Sequence, residues 1–507
     1  MSRINTNVQS MIAQRVLNQN HSSLNTSLER LSTGVKINRG KDDPAGLIAS
    51  EALGSQIKST SAALSNADRA DQVVNTAEGG LQEVSGLLTE LQGLVTSTAS
   101  SAGLSSEEKD ANQLQVDSIL QTIDRISGST SFQGIKLLNG NFDFKVSGMA
   151  AGVSDFRINA AKFSGGSMNL NAVITKSAQL GGFYLSMATS NISLSGTGAT
   201  GSKFVVEVKG SKGSRELSFA SGTNVSVIRD TINTFKDVTG VSASKSGTGV
   251  RLFSTEYGSA EFVSVKVVAA GNITGTAIGV YNMSSTNFNT VKTATHTGFA
   301  SATNGLSDSG QDVGATINGI IAVSKGRNAR ISTDFLDAEL TFTGTTSTTL
   351  GSVGTGQTGT ITGGGATFQL AGKVDINGKV SLGVGDTSIR KLGNSTAGFL
   401  SSLSSGNANS LTTASLDNAQ KIVSEAINQV SSLRGRLGAF QKNTIGATTR
   451  SLNVALENSQ AAQSVIRDSD FAAETASLTR SQIMVSASTN VLGLANQAPQ
   501  SVLQLLG

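Results

Sequence analysis

Residues 74–95 read VNTAEGGLQEVSGLLTELQGLV, and the spacing of their apolar side chains decides the helical part of the fold. The apolar positions alternate in steps of three and four residues: Val74, Ala77, Leu81, Val84, Leu88, Leu91 and Val95. This spacing keeps them on one face of an α-helix, as in the seam of a coiled coil. Four glycines lie within the stretch, and each costs about 1 kcal/mol against alanine in a helix interior. Packing of the apolar face must therefore offset them.

Apolar stripes predict helices at both ends of the chain. Near the start, the stripe consists of Leu17, Leu24, Leu28, Leu31 and Val35. His21 occupies its vacant position, where we expect it to pack or cap. Asp43 and Pro44 supply an N-cap and a first-turn proline for the helix that carries the seam. Near the end, the stripe positions are Val423, Ile427, Val430, Leu433, Leu437 and Phe440, followed at every seventh residue by Phe471, Leu478, Val485 and Leu492.

The helical period is lost between residues 135 and 405, where Gly, Ser and Thr dominate. Alternating apolar residues predict strands at 142–146 and 263–267. The dipeptide Asn377-Gly378 predicts a two-residue hairpin turn. Its strands would carry Val374 and Ile376 on one side, Val380 and Leu382 on the other. A short helix is predicted near Ile228, and exposed loops at 196–200 and 345–365. The fold class is therefore α+β and multidomain, with a paired helical frame at the ends and a β-rich central insert.

Composition excludes several classes of protein. The 507 residues carry 39 Lys+Arg and 35 Asp+Glu, a net charge of +4, with 15% charged residues. This is far from the concentrated basic stripe of a nucleic-acid binder. No cysteine is present, which removes disulfides and thiol chemistry. We expect no membrane span, because no apolar run reaches the length required, and no signal peptide of the Sec type.

Three patterns that resemble catalytic or binding sites are weak. His21 and His296 are the two histidines, and His296 lies in a predicted loop. The run 354–359 fits GxGxxG, but no helical pattern follows it. Asp334, Asp337 and Glu339 lack the spaced loop of a calcium site and are expected on a solvated strand edge. The sequence predicts no enzyme activity, no cofactor and no metal.

The first 40 residues are too poor in apolar side chains to order alone. Five stripe residues contribute about 10 kcal/mol on burial. Ordering the backbone costs about 1 kcal/mol or more per residue, several times that sum before helix hydrogen bonds are credited. We therefore expect the ends to be loose in the monomer and to order by pairing with each other and with further copies. Repeated heterologous contacts between identical subunits give an open helical filament.

The terminal motifs resemble those of bacterial flagellins. At the N-terminal end the similarity covers LERLSTGVKIN at 28–38 and DDPAG at 42–46. At the C-terminal end it covers LRGRLGA at 433–439, IRDSDFA at 466–472 and ANQAP at 495–499. Together these span most of 1–145 and 410–507. The segment 203–268 is similar to a small module of flagellins and hook-associated proteins.

The resemblance implies a layered domain organisation. Residues 1–44 with 466–507 would form an inner coiled-coil domain, 45–178 with 408–465 a helical core domain with a β-hairpin, and 179–407 variable surface domains. It also implies a secreted, extracellular filament subunit, exported unfolded by the flagellar type III apparatus. The implied partners are the chain itself, an export chaperone, the filament cap and hook-junction proteins. Asp42, Asp43, Asp468 and Asp470 would serve as helix caps and interface partners.

The resemblance also bears on recognition by the vertebrate Toll-like flagellin receptor. Recognised flagellins carry an arginine-rich helical patch before a leucine, and here Glu90 stands where arginine is expected, before Leu94. We therefore predict weak or no activation of this receptor. Two alternatives to a filament subunit remain: a hook–filament junction protein, and a secreted adhesin displayed on the insert.

Fifteen side chains are predicted to form the packing and subunit interfaces. Leu24, Leu28 and Leu31 are expected to face Leu478, Val485 and Leu492 in the inner layer. Leu81 to Leu91 are expected to face Leu433 to Phe440 outside it. The full set is Leu17, Leu24, Leu28, Leu31, Leu81, Val84, Leu88, Leu91, Leu433, Leu437, Phe440, Phe471, Leu478, Val485 and Leu492.

Overall fold

The computed structural model describes residues 6–100, 103–163, 165–194, 203–273, 277–284, 291–412 and 416–506. The chain divides into two compact units. The terminal unit consists of Met1–Gln72, Phe368–Lys379 and Ala439–Gly507. The central unit consists of Val73–Thr367 and Val380–Gly438. The three-domain division expected from the resemblance stays a prediction.

The described helices lie mainly at the two ends of the chain, as the stripes predict. Their bounds are α1 Val8–Thr33, α2 Pro44–Thr98, α3 Ser106–Ser129, α4 Val225–Thr234, α5 Lys236–Thr239, α6 Gly344–Thr348, α7 Leu416–Ala439, α8 Gly446–Arg467 and α9 Phe471–Leu506. A π-helical turn, Phe440–Ile445, connects α7 to α8. The α+β class is confirmed, with helical termini and a β-rich middle.

Helix α2 contains the seam, and all seven of its predicted side chains are at most 2% exposed. Its start is capped as predicted, since the Asp43 carboxylate accepts a hydrogen bond from the Gly46 amide at 2.9 Å. The four seam glycines differ in their surroundings. A Cβ on Gly80 would lie 2.7 Å from the Thr130 hydroxyl and 2.8 Å from a Leu138 methyl. Gly79, Gly86 and Gly93 have open space at that position. Only Gly80 is therefore required by packing.

Helices α3 and α7 each bury one face. The capping box of α3 is present, with reciprocal hydrogen bonds between Ser105 and Glu108. On α7, Val423, Val430 and Leu437 are at most 1% exposed. Ile427 is only partly buried, and its neighbour Ala426 takes the fully buried place.

Twenty-six strands are described in the middle of the chain. They are β1 Ser131–Phe132, β2 Ile135–Lys136, β3 Phe144–Ser147, β4 Val153–Ala161, β5 Met168–Leu170, β6 Ala172–Lys176, β7 Gly182–Ser186, β8 Lys203–Gly210, β9 Ser214–Ala220, β10 Val241–Ser246, β11 Gly249–Ser254, β12 Phe262–Ala269, β13 Gly279–Met283, β14 Val291–Thr297, β15 Leu306–Ser309, β16 Gly314–Ile317, β17 Ile320–Ile321, β18 Val323–Lys325, β19 Asn328–Ser332, β20 Leu336–Phe342, β21 Gly351–Ser352, β22 Gly359–Gly364, β23 Ala366–Gln369, β24 Lys379–Leu382, β25 Gly393–Asn394 and β26 Gly398–Phe399.

These strands surround two apolar cores in the central unit. One core lies within 183–302, where the sheets β10-β11-β7-β13-β14 and β15-β12-β8-β9 occur with α4. The other lies within 144–361 and includes the sheets β17-β16-β6-β21, β18-β19-β20-β4 and β3-β22-β5. The predicted strand at 263–267 is confirmed as β12, and the predicted short helix as α4. The predicted strand at 142–146 begins at Phe144.

The predicted hairpin around Asn377-Gly378 is wrong in its first strand, whereas its second strand, with Val380 and Leu382, is confirmed as β24. The dipeptide does form a turn, but β24 pairs with β23, while Val374 and Ile376 lie outside any strand. Val374 is 83% exposed, so a strand there would have no face to bury. The Asp375 carboxylate accepts the Gly378 amide at 2.6 Å, a local turn that competes with a ladder.

The predicted loop at 345–365 is also largely structured. It contains most of α6 and the strands β21 and β22. Ser347, Thr358 and Ile361 are fully buried there. The Gly- and Thr-rich composition did not indicate these elements, because threonine is common in strands as well as in turns. The predicted loop at 196–200 lies outside the described residues.

Candidate subunit interface

Helices α1 and α9 of the terminal unit pair antiparallel along their length. The Asn7 amide donates to the Ala495 carbonyl at 2.7 Å, close to the start of α1. Midway, the Asn20 amide donates to the Ser488 hydroxyl at 2.6 Å. Near the end of α1, Arg30 lies 3.8 Å from Glu474. The contacts that fix the pairing register are therefore largely polar.

Backbone hydrogen bonds close the pair where α1 ends. Gly34 ends the helix in the left-handed region, with φ of 74°. Its carbonyl accepts the Ser469 amide at 3.0 Å, and the Lys36 amide donates to the Arg467 carbonyl at 2.6 Å. The chain segments that precede α2 and α9 are thereby tied together.

Asp470 caps a helix as predicted, whereas the carboxylates of Asp42 and Asp468 accept hydrogen bonds that cap no helix. The Asp470 carboxylate accepts the Ala472 amide at 2.9 Å at the start of α9. The Asp42 carboxylate accepts the Arg39 amide at 2.8 Å, and this backbone hydrogen bond lowers the pKa of Asp42. The Ser464 hydroxyl donates to the Asp468 carboxylate at 2.5 Å.

The paired faces bury few side chains completely. On α1 the fully buried residues are Ala13 and Ser27, and on the described part of α9 Ser488 is 8% exposed. The predicted stripe residues that join them are partly buried: Leu17, Leu24, Leu31, Leu478, Val485 and Leu492. Small residues at the centre let the two helix backbones approach each other, with the larger side chains alongside.

Three predicted positions do not lie on the paired faces. Leu28 is 47% exposed, so it is not covered within one chain, and its packing in the inner layer stays a prediction. The neighbouring Ser27 is buried in the position that the stripe predicted for Leu28. Phe471, the first residue of α9, is 58% exposed. His21 is exposed and does not pack within the chain.

The outer faces of α1 and α9 are unusually apolar for a surface. On α1 the exposed apolar side chains are Val8, Met11, Ile12, Val16 and Leu28, which are 39–66% exposed. On α9 they are Phe471, Ile483, Met484, Val491 and Leu494, which are 46–67% exposed. Contiguous exposed apolar surface marks sites of association. At 100° per residue, two rows of these side chains fall on single helix faces that a further helix can cover: Val8, Met11, Ile12 and Val16 on α1, and Ile483, Met484, Val491 and Leu494 on α9.

The remaining predicted packing residues lie inside the chain. Leu81, Val84, Leu88 and Leu91 on α2 are fully buried. On the other side, Leu433 and Leu437 of α7 are 5% and 1% exposed, and Phe440 is 9% exposed. In the central unit, the Arg434 guanidinium lies 2.8 Å from the Glu78 carboxylate and ties α7 to α2. These side chains are therefore packed within one chain.

The residues considered as catalytic or metal-binding candidates make structural contacts instead. His296 lies on β14, not in a loop, and stacks on Tyr281 with ring centroids 4.8 Å apart. The predicted strand edge at 334–339 is wrong, because β20 lies between β19 and β4. Asp337 of that strand lies 3.0 Å from Arg330.

The GxGxxG run at 354–359 does not lead into a helix. Strand β22 follows it instead. Among the described residues, no three His, Cys, Asp or Glu side chains gather to hold a metal ion. Within the same residues, no helix has the length and hydropathy that a membrane span needs.

A charged cleft in the central unit was not predicted. Its volume is about 640 Å³, and its walls include Arg157, Arg330, Asp155, Glu339 and Glu425. Burial raises the pKa of Asp155, which lies beside Arg157. Six acidic and four basic side chains line the cleft, so acids are in excess there. The five residues named come from separate strands and from α7, which no local sequence pattern brings together.

A packed helical frame with open apolar faces, together with a β-rich insert, defines the class of structural proteins that associate through their terminal helices. Family models identify the particular family. The bacterial flagellin N-terminal helical region matches residues 4–143, the C-terminal helical region matches 420–506, and the flagellin hook IN motif matches 191–256.

Curated relatives agree over the full length of the chain. The B-type flagellin of Pseudomonas aeruginosa is 31% identical, and the flagellin of Salmonella typhimurium 29% identical; each alignment covers 99% of both chains. The chain belongs to the flagellin family. It is a structural subunit of the extracellular flagellar filament, and the resemblance inferred from the terminal motifs is confirmed.

Solved flagellar structures were also found among the matches. The flagellar hook associated protein-3 of Legionella pneumophila is 10% identical and covers 82% of this chain and 96% of that chain, with a TM-score of 0.25. The D2–D3 domains of the flagellar cap protein of Serratia marcescens are 18% identical and cover 38% and 92%, with a TM-score of 0.25.

Proposed function

We propose that this chain polymerises without limit into the motility filament by covering the outer faces of α1 and α9 with the same helices of further copies. The observation that carries the proposal is the pair of apolar rows on these helices, led by Met11 and Leu494 at 66% and 67% exposure. Covering one such side chain contributes about 1–2 kcal/mol, at roughly 25 cal/mol per Å².

The weakness of the pairing within one chain supports the same mechanism. Helix α1 has 26 residues but buries only Ala13 and Ser27 completely. Ordering those residues costs more than such burial returns. Contacts with neighbouring copies then supply what the chain lacks, so that folding of the ends is coupled to assembly.

A matched pair of variants tests the polymerisation. Ile483 is 63% exposed on α9, and Ile483→Asp should abolish filament growth because the charge would be buried without a partner. Val227 is 52% exposed on α4 of the insert, and Val227→Asp should polymerise like the wild type. Growth is followed by light scattering and electron microscopy after seeding.

The same experiment separates the alternatives. A filament that grows as long as subunits are supplied fits the proposal, whereas a collar of limited size fits a junction protein. Normal filaments from Ile483→Asp would contradict the role of the α9 face. The adhesin alternative predicts a binding activity that is lost when the insert is removed.

We further propose the route and the partners that the terminal motifs imply. The chain would be exported unfolded through the flagellar type III apparatus, held by an export chaperone, and added beneath the filament cap, above hook-junction proteins. A chaperone that binds the ends of the monomer would have to cover the same apolar rows. Inhibition of seeded wild-type growth by the chaperone, together with weaker chaperone binding to the Ile483→Asp monomer, would support this; chaperone binding unaffected by the substitution would not.

We also propose that the Toll-like flagellin receptor responds weakly. Glu90 is exposed on α2, next to partly buried Leu94, so its charge faces any partner at that surface. Purified monomer should give a weak signal in a receptor-reporter assay, and Glu90→Arg should strengthen it. Strong activation by the wild type would refute the proposal.

A further inference from the structure

A short loop of the terminal unit is built to present two apolar side chains. Residues 370–378, the 370s loop, connect β23 to β24. The Gln369 side-chain amide donates to the Ala371 carbonyl at 2.9 Å and to the Lys373 carbonyl at 2.6 Å. The Leu370 amide donates to the Gly378 carbonyl at 2.9 Å. These bonds hold the loop in one conformation.

The loop is also fitted closely to its own unit. A Cβ on Gly378 would lie 2.6 Å from the Gln369 amide nitrogen and 2.8 Å from the Lys373 carbonyl. A Cβ on Gly372 would lie 2.9 Å from the Ser59 hydroxyl of α2. The Asn66 amide of α2 donates to the Gln369 carbonyl at 3.3 Å. The base of the loop is therefore anchored on α2.

The apolar side chains at the tip of the loop stay exposed although the base of the loop is anchored. Val374 is 83% exposed and Ile376 is 41% exposed, and both project from a backbone that is already ordered. A rigid loop that displays apolar side chains has already lost the entropy that binding would otherwise cost. Anchors of this kind, at the centre of an interface, supply much of its binding energy. The flanking Lys373 and Asp375 cancel in charge, which fits a protein surface and not a nucleic acid or an anionic membrane.

We propose that the 370s loop docks onto the terminal unit of a second copy of this chain in the filament. The inference rests on the proposed polymerisation. The loop belongs to the same compact unit as α1 and α9, whose open faces are assigned to assembly. That unit also exposes apolar side chains outside the helix pair, Ile48 and Val465, which are 72% and 83% exposed and suit an apolar tip.

The tip is too small to bind a free monomer, so its partner must be a copy that the filament already holds in place. Two side chains bury too little surface to dimerise free monomers, since stable interfaces bury about 1,200 Å² or more. Once α1 and α9 hold two copies together, the second contact becomes intramolecular and has an effective concentration in the millimolar range. The loop then adds stability to the filament without associating monomers on its own.

Single cysteines test the contact, because the chain contains no cysteine of its own. Val374→Cys should react with a maleimide in the monomer and should react about tenfold more slowly or worse in the filament, since a covered thiol loses access to reagent. Val323 is 82% exposed on β18 and provides the matched control. Val323→Cys should react at similar rates in monomer and filament.

A second variant measures the contribution of the loop to filament stability, whereas the cysteine variants measure how accessible its tip is to reagent. Val374→Asp should leave the helical circular-dichroism signal of the monomer unchanged, yet lower the temperature at which filaments dissociate. Equal maleimide rates for Val374→Cys in monomer and filament, or an unchanged dissociation temperature for Val374→Asp, would overturn the docking. Failure of the wild type to polymerise would instead refute the proposed polymerisation, so the two outcomes are distinct.

Discussion

Leu88 lies at the centre of the α2 seam and is fully buried, whereas Leu114 of α3 is 69% exposed. Leu88→Asp should destabilise the central unit by about 4 kcal/mol or more, because a charge would be buried without a partner. As a consequence, filaments should not form. Leu114→Asp should change stability by no more than about 0.5 kcal/mol, as surface substitutions do. Urea denaturation of the two monomers measures both effects, and normal stability of Leu88→Asp would contradict the packing of the seam.

The seam glycines give a second comparison between single residues. Gly86→Ala should stabilise the chain by up to about 1 kcal/mol, because alanine is the better helix former and its Cβ meets open space. Gly80→Ala should destabilise it by about 1–2 kcal/mol, because the Cβ would press on Thr130 and on buried Leu138. Thermal denaturation should shift in opposite directions. Equal shifts would mean that α2 does not approach these residues as closely as described.

The pKa of Asp143 predicts a dependence of stability on pH. Burial raises this pKa, and the nearby charge of Asp386 adds to the effect. The folded chain therefore holds the proton more tightly than the unfolded chain does. At neutral pH the buried charge destabilises the fold, and this penalty disappears as the pH falls through the raised pKa.

Replacement by asparagine isolates that effect. Asp143→Asn keeps the oxygen that accepts the Phe144 amide at 2.8 Å but removes the charge. The variant should be more stable than the wild type at neutral pH, and the difference should shrink under mildly acidic conditions. Urea denaturation at the two pH values measures this. A variant less stable than the wild type at neutral pH would show that the charge itself is used by the fold.

At the scale of the element, the helices could be predicted because their pattern is local. The seam of α2 repeats without a miss, and the caps at Asp43 and Ser105 are visible in the sequence. The sheets could not be predicted in this way, because their strand pairing joins residues that are distant in sequence, such as Leu336 and Ala161. The hairpin at Asn377-Gly378 failed because a side-chain turn and solvent exposure outweighed a favourable dipeptide.

The paired faces of α1 and α9 were predicted in part, for a related reason. The stripe of large apolar residues on α1 predicts that Leu28 faces α9. In the structure, α9 packs against the side of α1 that carries the small residues Ala13 and Ser27. Hydrophobicity alone does not show that choice. The displaced Leu28 stays exposed at the flank of the paired face.

At the scale of the whole molecule, one part of the insert begins and ends at neighbouring residues, so a linker can replace it, although its Tyr257 packs against the second core. The amide of Gln179 donates to the carbonyl of Gln311 at 2.9 Å, and the amide of Gln311 donates back at 2.9 Å. The segment between them, 181–309, contains the core within 183–302. Replacing it by a short glycine linker should leave the terminal unit folded and filament growth intact. Electron microscopy of the variant checks this, and loss of growth with a folded terminal unit would show that the insert takes part in assembly.

We infer that the ends of the chain bury too little in one copy and complete their burial in the filament. Amide hydrogen exchange of the monomer and of the filament, followed by mass spectrometry, tests it most directly. We expect fast exchange in α1 and α9 of the monomer, strong protection of both in the filament, and slow exchange of the α2 seam in both states. Slow exchange of α1 and α9 in the isolated monomer, equal to that of the seam, would contradict it.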